Sequence, residues 1–195
     1  MISSLKALAE VRAGHPFRGS VPVAAHGKAR VIQMRDISPD GEVAWANLSR
    51  ADLGRGKPPD WLRDGDILFA ARGTRNYAVC LSQTPPATVC AQYFFVLRCK
   101  AEGLLPEYLA WHINRPPSQR YLRNNAEGTD QLSIRRPVLE DMPIAVPELA
   151  RQRLLVDLAE AARQERQRLE ALIRNRELQI DALAQGLLAP PARQA

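Results

Sequence analysis

The chain contains no run of about eighteen apolar residues, and its opening MISSLKALAEVRAG has neither a basic leader nor a continuous hydrophobic stretch. Neither a membrane span nor a signal peptide is expected, and the chain is placed in the cytoplasm. Cysteine is scarce: Cys80, Cys90 and Cys99 lie in or beside strand-like stretches, without a Cys-x-x-Cys pair. His15, His26 and His112 are scattered without ligand spacing, so no metal site and no cofactor is expected, and the thiols are read as small buried side chains in a reducing compartment.

Motifs that carry catalysis are missing as well. A Walker loop needs Gly-x-x-x-x-Gly-Lys-Ser/Thr and a dinucleotide fold needs Gly-x-Gly-x-x-Gly between strand and helix; the sequence has neither. An amino-methyltransferase needs Asp/Asn-Pro-Pro-aromatic to hold its target amine, and the Pro-Pro candidates KPPD and RPPS lack both flanks. A metal-dependent nuclease core places a carboxylate two residues before a lysine, and none of Lys6, Lys28, Lys57 and Lys100 has one there. No Ser or Cys sits in a nucleophile elbow. A binding protein is expected, not an enzyme.

What is present supports a folded chain with a basic body. Its 195 residues, 46% hydrophobic, suffice for one domain of about 150 residues plus an appendage. Residues 1–146 hold 19 Lys and Arg against 14 Asp and Glu, a net of +5, and residues 147–195 hold 8 against 7, a net of +1. A basic body suits a polyanion. Of the 27 basic residues 23 are Arg, however, a bias that a GC-rich genome produces without any function attached.

Up to about Arg63 the chain is turn-rich, with GHPFRGS, SPDGE and GRGKPPD separating short segments such as KARVIQMRDI and EVAWANLS, which reads as irregular β structure. DILFAAR, NYAVCLS, ATVCAQ and YFFVLRC then read as strands of one central sheet, with QTPPA as a turn between the middle two. PEYLAWHINR is a helix opened by Pro106 and stopped by Pro116-Pro117, SQRYLRNNAEG is a second short helix, and TDQLSIRRPVLEDMPIAVP runs through loop and turn into a short extended stretch. From Glu148 to about Leu188 there is no Pro, and no Gly before Gly186, so one long helix is expected. Its heptad rows are Ala159, Arg166, Ile173, Ile180 and Leu187, and Ala162, Leu169, Arg176 and Leu183, with Leu158 and Leu172 flanking. Only the first two turns, around Leu154 and Leu155, are expected to fold back on the body; the rest must meet another long helix. The fold class is α+β, with a central β-sheet and short helices followed by a long coiled-coil-type helix: residues 1–146, 147–189, and a disordered tail over 190–195.

Taken in order, LAEVRAGHPFRGS, GDILFAARGT, QYFFVLRC, LLPEYLAWHIN, GTDQLSIRRPVLEDMPIAVP and ELARQRLLVDL resemble, in sequence and spacing, the specificity subunit of type I restriction-modification systems. Each motif is weak alone, and the ordered set covers nearly the whole chain. The resemblance implies a target-recognition domain followed by a long helix. Such subunits carry two of these repeats with antiparallel helices, and this chain, with one, resembles a half-length form. It implies a non-catalytic double-stranded DNA-binding protein that directs adenine methyltransferase (modification) subunits, with or without a restriction and translocase subunit, to a bipartite target. A recognition or adaptor role in another phage-defence system is the alternative.

On that reading GDILFAARGT is a turn (Gly65, Asp66), a buried strand (Ile67 to Ala70) and a strand exit at the DNA-facing surface, where Arg72, Thr74, Arg75 and Asn76 reach bases or phosphates. Arg18 and Lys28 in the glycine-rich N-terminal loops, Gln92 before a strand, and Thr129, Gln131 and Arg135 before the long helix are further candidates, several of them as phosphate contacts. Tyr121 is read as packing rather than stacking. The dimer interface is assigned to the heptad rows: an antiparallel homodimer reading an interrupted palindrome, or a heterodimer if Arg166 and Arg176 await acidic residues on another protein.

Overall fold

The computed structural model describes residues 1–188 except 18, 25, 39, 55–57 and 129–131. In chain order the elements are β1 (Ile2–Ser4), α1 (Leu5–Leu8), β2 (Ala9–Ala13), β3 (Ala29–Ile32), β4 (Ser49–Ala51), β5 (Ile67–Ala70), β6 (Arg72–Gly73), β7 (Ala78–Cys80), β8 (Thr88–Cys90), β9 (Phe94–Cys99), α2 (Pro106–Ile113), α3 (Pro116–Asn125), β10 (Leu132–Ser133), α4 (Arg136–Glu140), β11 (Pro143–Ala145) and α5 (Leu149–Leu188). Single 3-10 turns lie at Met34–Asp36 and Trp45–Asn47. Among the described residues no helix is long and apolar enough to cross a membrane.

The run Ile-Leu-Phe-Ala of β5 is apolar on both faces because both faces are covered. Side chains alternate across a strand, so Ile67 and Phe69 enter a core shared with α2, α3 and α4, while Leu68 and Ala70 enter a second core with Ile32, Leu62, Val79 and Phe94. β5 lies inside a four-stranded antiparallel sheet ordered β2-β9-β5-β7. β7 is an edge, and the Asn114 amide covers part of it, accepting from Ala78 N–H at 2.9 Å and donating to Ala78 C=O at 2.7 Å.

One strand's place in the central sheet read from the sequence is corrected here. ATVCAQ supplies β8, which joins β3 in parallel (Val31 opposite Val89), in a separate three-stranded sheet ordered β4-β3-β8. Parallel pairing across more than fifty intervening residues leaves no local turn signal to read. β9 begins at Phe94, so Tyr93 is a turn residue rather than a strand residue. RPVLE, read as loop, forms the short helix α4 with Pro at its start. The stretch MPIAVP returns as β11 to pair with β1.

Two compact units result, Met1–Val156 and Asp157–Ala195, and the division falls within α5. Gln152 explains why its first turns belong to the body. Fully buried, its side chain accepts from Leu105 N–H at 2.9 Å and donates to the carbonyls of Gly103 and Pro147 at 2.8 Å each. Leu155 and Val156 pack on the core, whereas Leu154, expected to do the same, is 58% exposed. The tail assigned to 190–195 lies outside the described residues.

Candidate nucleic-acid interface

Strand directions collect several turns at one end of the two sheets. Ala70 at the exit of β5 pairs with Phe94 at the start of β9, and β3 and β8 end side by side at Ile32 and Cys90. Residues 33–36, 71–76 and 91–93 therefore emerge together. Backbone bonds fix them: Ala71 N–H donates to Tyr93 C=O at 2.9 Å, and Ala91 N–H to Ile32 C=O at 2.9 Å. β6 pairs with β10 (Arg72 opposite Ser133, Gly73 opposite Leu132), which brings Arg135 to the same edge.

The 71–76 turn has a rigid base and polar tips. The β5–β7 hairpin closes where Ala70 N–H donates to Tyr77 C=O at 2.8 Å. Gly73 has φ +142°, a backbone state that favours glycine, and a Cβ there would meet Met34 Cε at 3.4 Å. Arg72, Thr74 and Arg75 are exposed, and the Arg75 guanidinium lies 5.7 Å from the centre of the Tyr77 ring.

Asn76 is a correction. It is 4% exposed and its Nδ2 donates to Ala70 C=O at 2.8 Å, so it braces the turn instead of reaching outward. A short amide is favoured at a turn for either purpose, and only burial separates the two. Gln92 is exposed at this edge, and Arg135 is exposed and ion-paired with Glu127. Lys28 is not brought here: it precedes β3 at the strand's opposite end, where its N–H donates to Asp52. Arg18, Thr129 and Gln131 lie outside the described residues. Tyr121 packs, its hydroxyl donating to Val138 C=O at 3.1 Å.

Three residues at this edge escape sequence reading. Gln33 precedes the 3-10 turn after β3 and Arg35 lies within it, both side chains donating to Ser49 Oγ, at 3.3 and 3.0 Å; Arg35 remains 66% exposed. Tyr93 is 43% exposed beside Gln92. With Phe17, Met34 and others they line an open cleft of about 520 Å³. The one signal available was an aromatic directly before a buried strand, and it reads equally well as strand.

The cysteines are quiet. Burial pushes the Cys80 and Cys90 thiols up to about 12 and Cys99 up to about 11, which suppresses the thiolate.

In α5 the heptad rows hold exposed apolar residues: Leu169 at 53%, Ile173 and Ile180 at 57%, Leu183 at 68% and Leu187 at 86%. Ala162, Arg166 and Arg176 in the same rows are exposed and Ala159 is half-buried.

No protein-family model and no curated relative matches the sequence. Solved structures do. An HsdS subunit from Thermoanaerobacter tengcongensis superposes with TM-score 0.66 at 18% identity, over 100% of this chain and 51% of that one. A chain from a structure concerning assembly and conformational transition of the type I R-M system gives 0.65 at 18%, over 96% and 44%. The S subunit of a type I restriction-modification system from M. genitalium gives 0.57 at 14%, over 95% and 45%. At such identities the likeness is one of fold. The chain has the α+β domain-plus-long-helix architecture of a type I specificity subunit, and it spans about half the length of the chains it matches.

Proposed function

We propose that this chain is a non-catalytic, sequence-specific double-stranded DNA-binding unit that directs the adenine methyltransferase of a type I-like system to one half of a bipartite target. The observation that carries it is the edge where Arg72, Thr74 and Arg75 stand exposed on a braced turn, tied to Gln92 and Arg135, in a body with the specificity-subunit fold. An Arg fork matches guanine O6 and N7, and the other side chains suit phosphates or base edges. The test incubates the chain with DNA and labelled S-adenosylmethionine. Methyl transfer is expected only with a modification subunit added; transfer by the chain alone, or no retention of DNA at low salt, overturns the reading.

The helix carries the assembly part of the same proposal. A soluble chain rarely leaves a stripe of this length uncovered, and a second copy packed antiparallel would set Ala162 and Leu169 of one chain against the Ile173–Leu183 half of the other. The two-fold would then present two identical recognition surfaces, and the target would be a palindrome interrupted by a gap. Light scattering should give a dimer, which Ile173→Asp with Ile180→Asp dissociates. Inserting one heptad, about 10 Å of helix, should lengthen the gap by about three base pairs and leave the half-sites unaltered. A second reading, pairing with a different half-subunit, is favoured by Arg166 and Arg176, exposed within the stripe; a methylated target with two unrelated halves would select it.

A further inference from the structure

The cleft beside the 71–76 turn has a composition unlike that of the turn itself. Phe17, Met34 and Tyr93 contribute apolar and aromatic surface, and Gln33, Arg35 and Gln92 contribute amides and a guanidinium. Met34 joins the two features: it lines the cleft, its Cε faces Gly73, and its sulfur lies 4.0 Å from the Tyr77 hydroxyl, beneath Arg75. A DNA duplex held against Arg72 and Arg75 would therefore pass the mouth of the cleft.

Convex and concave surfaces read DNA differently. A protruding side chain enters a groove and meets the edge of a stacked base. A recess makes no such contact; part of the DNA has to enter it. The apolar and aromatic part of that lining suits the one part of DNA with apolar faces and a hydrogen-bonding edge, an unstacked base, whose own phosphate the Arg35 guanidinium suits. We infer that this cleft takes one unstacked nucleobase of the target, stacked on Tyr93 and held at its edge by the amide of Gln92, as a second reading element distinct from the Arg72 and Arg75 turn. The inference rests on the DNA-binding reading above and adds to it a base position and a mode of recognition.

The test starts from a random duplex pool selected with the 195-residue chain, so that no target need be known beforehand. Arg72→Ala should erase preference at one set of positions, and Gln92→Ala preference at a different, neighbouring position. On the selected site, Tyr93→Ala should weaken binding about 10-fold or more, in line with the loss of one base–aromatic stack, while Tyr93→Phe stays within about 2-fold of the parent because the ring is kept. 2-Aminopurine placed at the Gln92-dependent position should brighten on binding to the parent and stay quenched with Tyr93→Ala. If the parent selects a sequence but 2-aminopurine stays quenched at every position, or Gln92→Ala and Tyr93→Ala leave the selected site and affinity unchanged, the cleft is not a base site and the DNA-binding reading stands. If the parent selects no sequence, both fall together.

Discussion

The two ends of β5 use the same residue types in opposite ways. At the entry, Asp66 is 1% exposed and accepts from Arg98 Nε at 2.7 Å and Nη2 at 2.6 Å, and from Arg63 N–H at 3.1 Å. Asp60 accepts from Arg98 at 3.3 Å and from Arg12 at 3.0 Å. Arginine there is fastened to carboxylates and holds strands together. At the exit, only 4 residues of strand away, Arg72 is exposed on a turn braced by the neutral amide of Asn76. The difference teaches that an arginine count says little about DNA; the neighbouring carboxylates decide whether each charge is used inside the fold or offered outside it.

The largest expected effect comes from breaking the closed end. Asp66→Ala leaves the Arg98 guanidinium, 15% exposed, without its two shortest bonds, and should cost about 3–5 kcal/mol of folding free energy, measured by urea unfolding. At the open end Arg72→Ala should leave stability within about 0.5 kcal/mol while weakening binding to the selected site by about 1–3 kcal/mol and to random DNA hardly at all. Equal loss on both DNAs would make it a phosphate contact. Asn76→Ala sharpens the contrast within a single turn: losing a buried hydrogen bond to Ala70 should cost about 1–2 kcal/mol of stability, with the base preference at each position kept.

The smallest effect is one of pH and belongs to neither end. His112 is half-buried, its Nε2 accepting from Ala145 N–H at 3.3 Å and its Nδ1 3.1 Å from Ser118 Oγ, and burial holds its pKa below the ordinary imidazole value. The fold thus favours the neutral ring. Its contribution is complete above the unfolded pKa of about 6.5 and is lost as pH falls toward the lowered folded value. Thermal midpoints followed from pH 8 down to 5 should fall, and His112→Gln should remove part of that fall. An unchanged acid slope in the variant would assign it to other groups, of which His15, also lowered by burial, is the first to try.

Local chemistry alone determined a good deal of this protein. Forty residues without proline and nearly without glycine make α5, since helix propensity and period are properties of the segment itself. Ile67–Ala70, bounded by a Gly-Asp turn, is a strand for the same kind of reason, as is the helix opened by Pro106, whereas Pro116, read as a stop, opens α3. Tertiary structure decided everything that depends on residues far apart in the chain: that β8 leaves its neighbours for β3, that Gln152 fastens the first turns of the long helix to residues 103–105, and that Asn76 faces inward. The cleft of Gln33, Arg35 and Tyr93 is of this kind too, because it exists only where the ends of two sheets meet. A side chain's type is written in the sequence, whereas its burial and its partners follow from long-range strand pairing, and no period or turn signal encodes that.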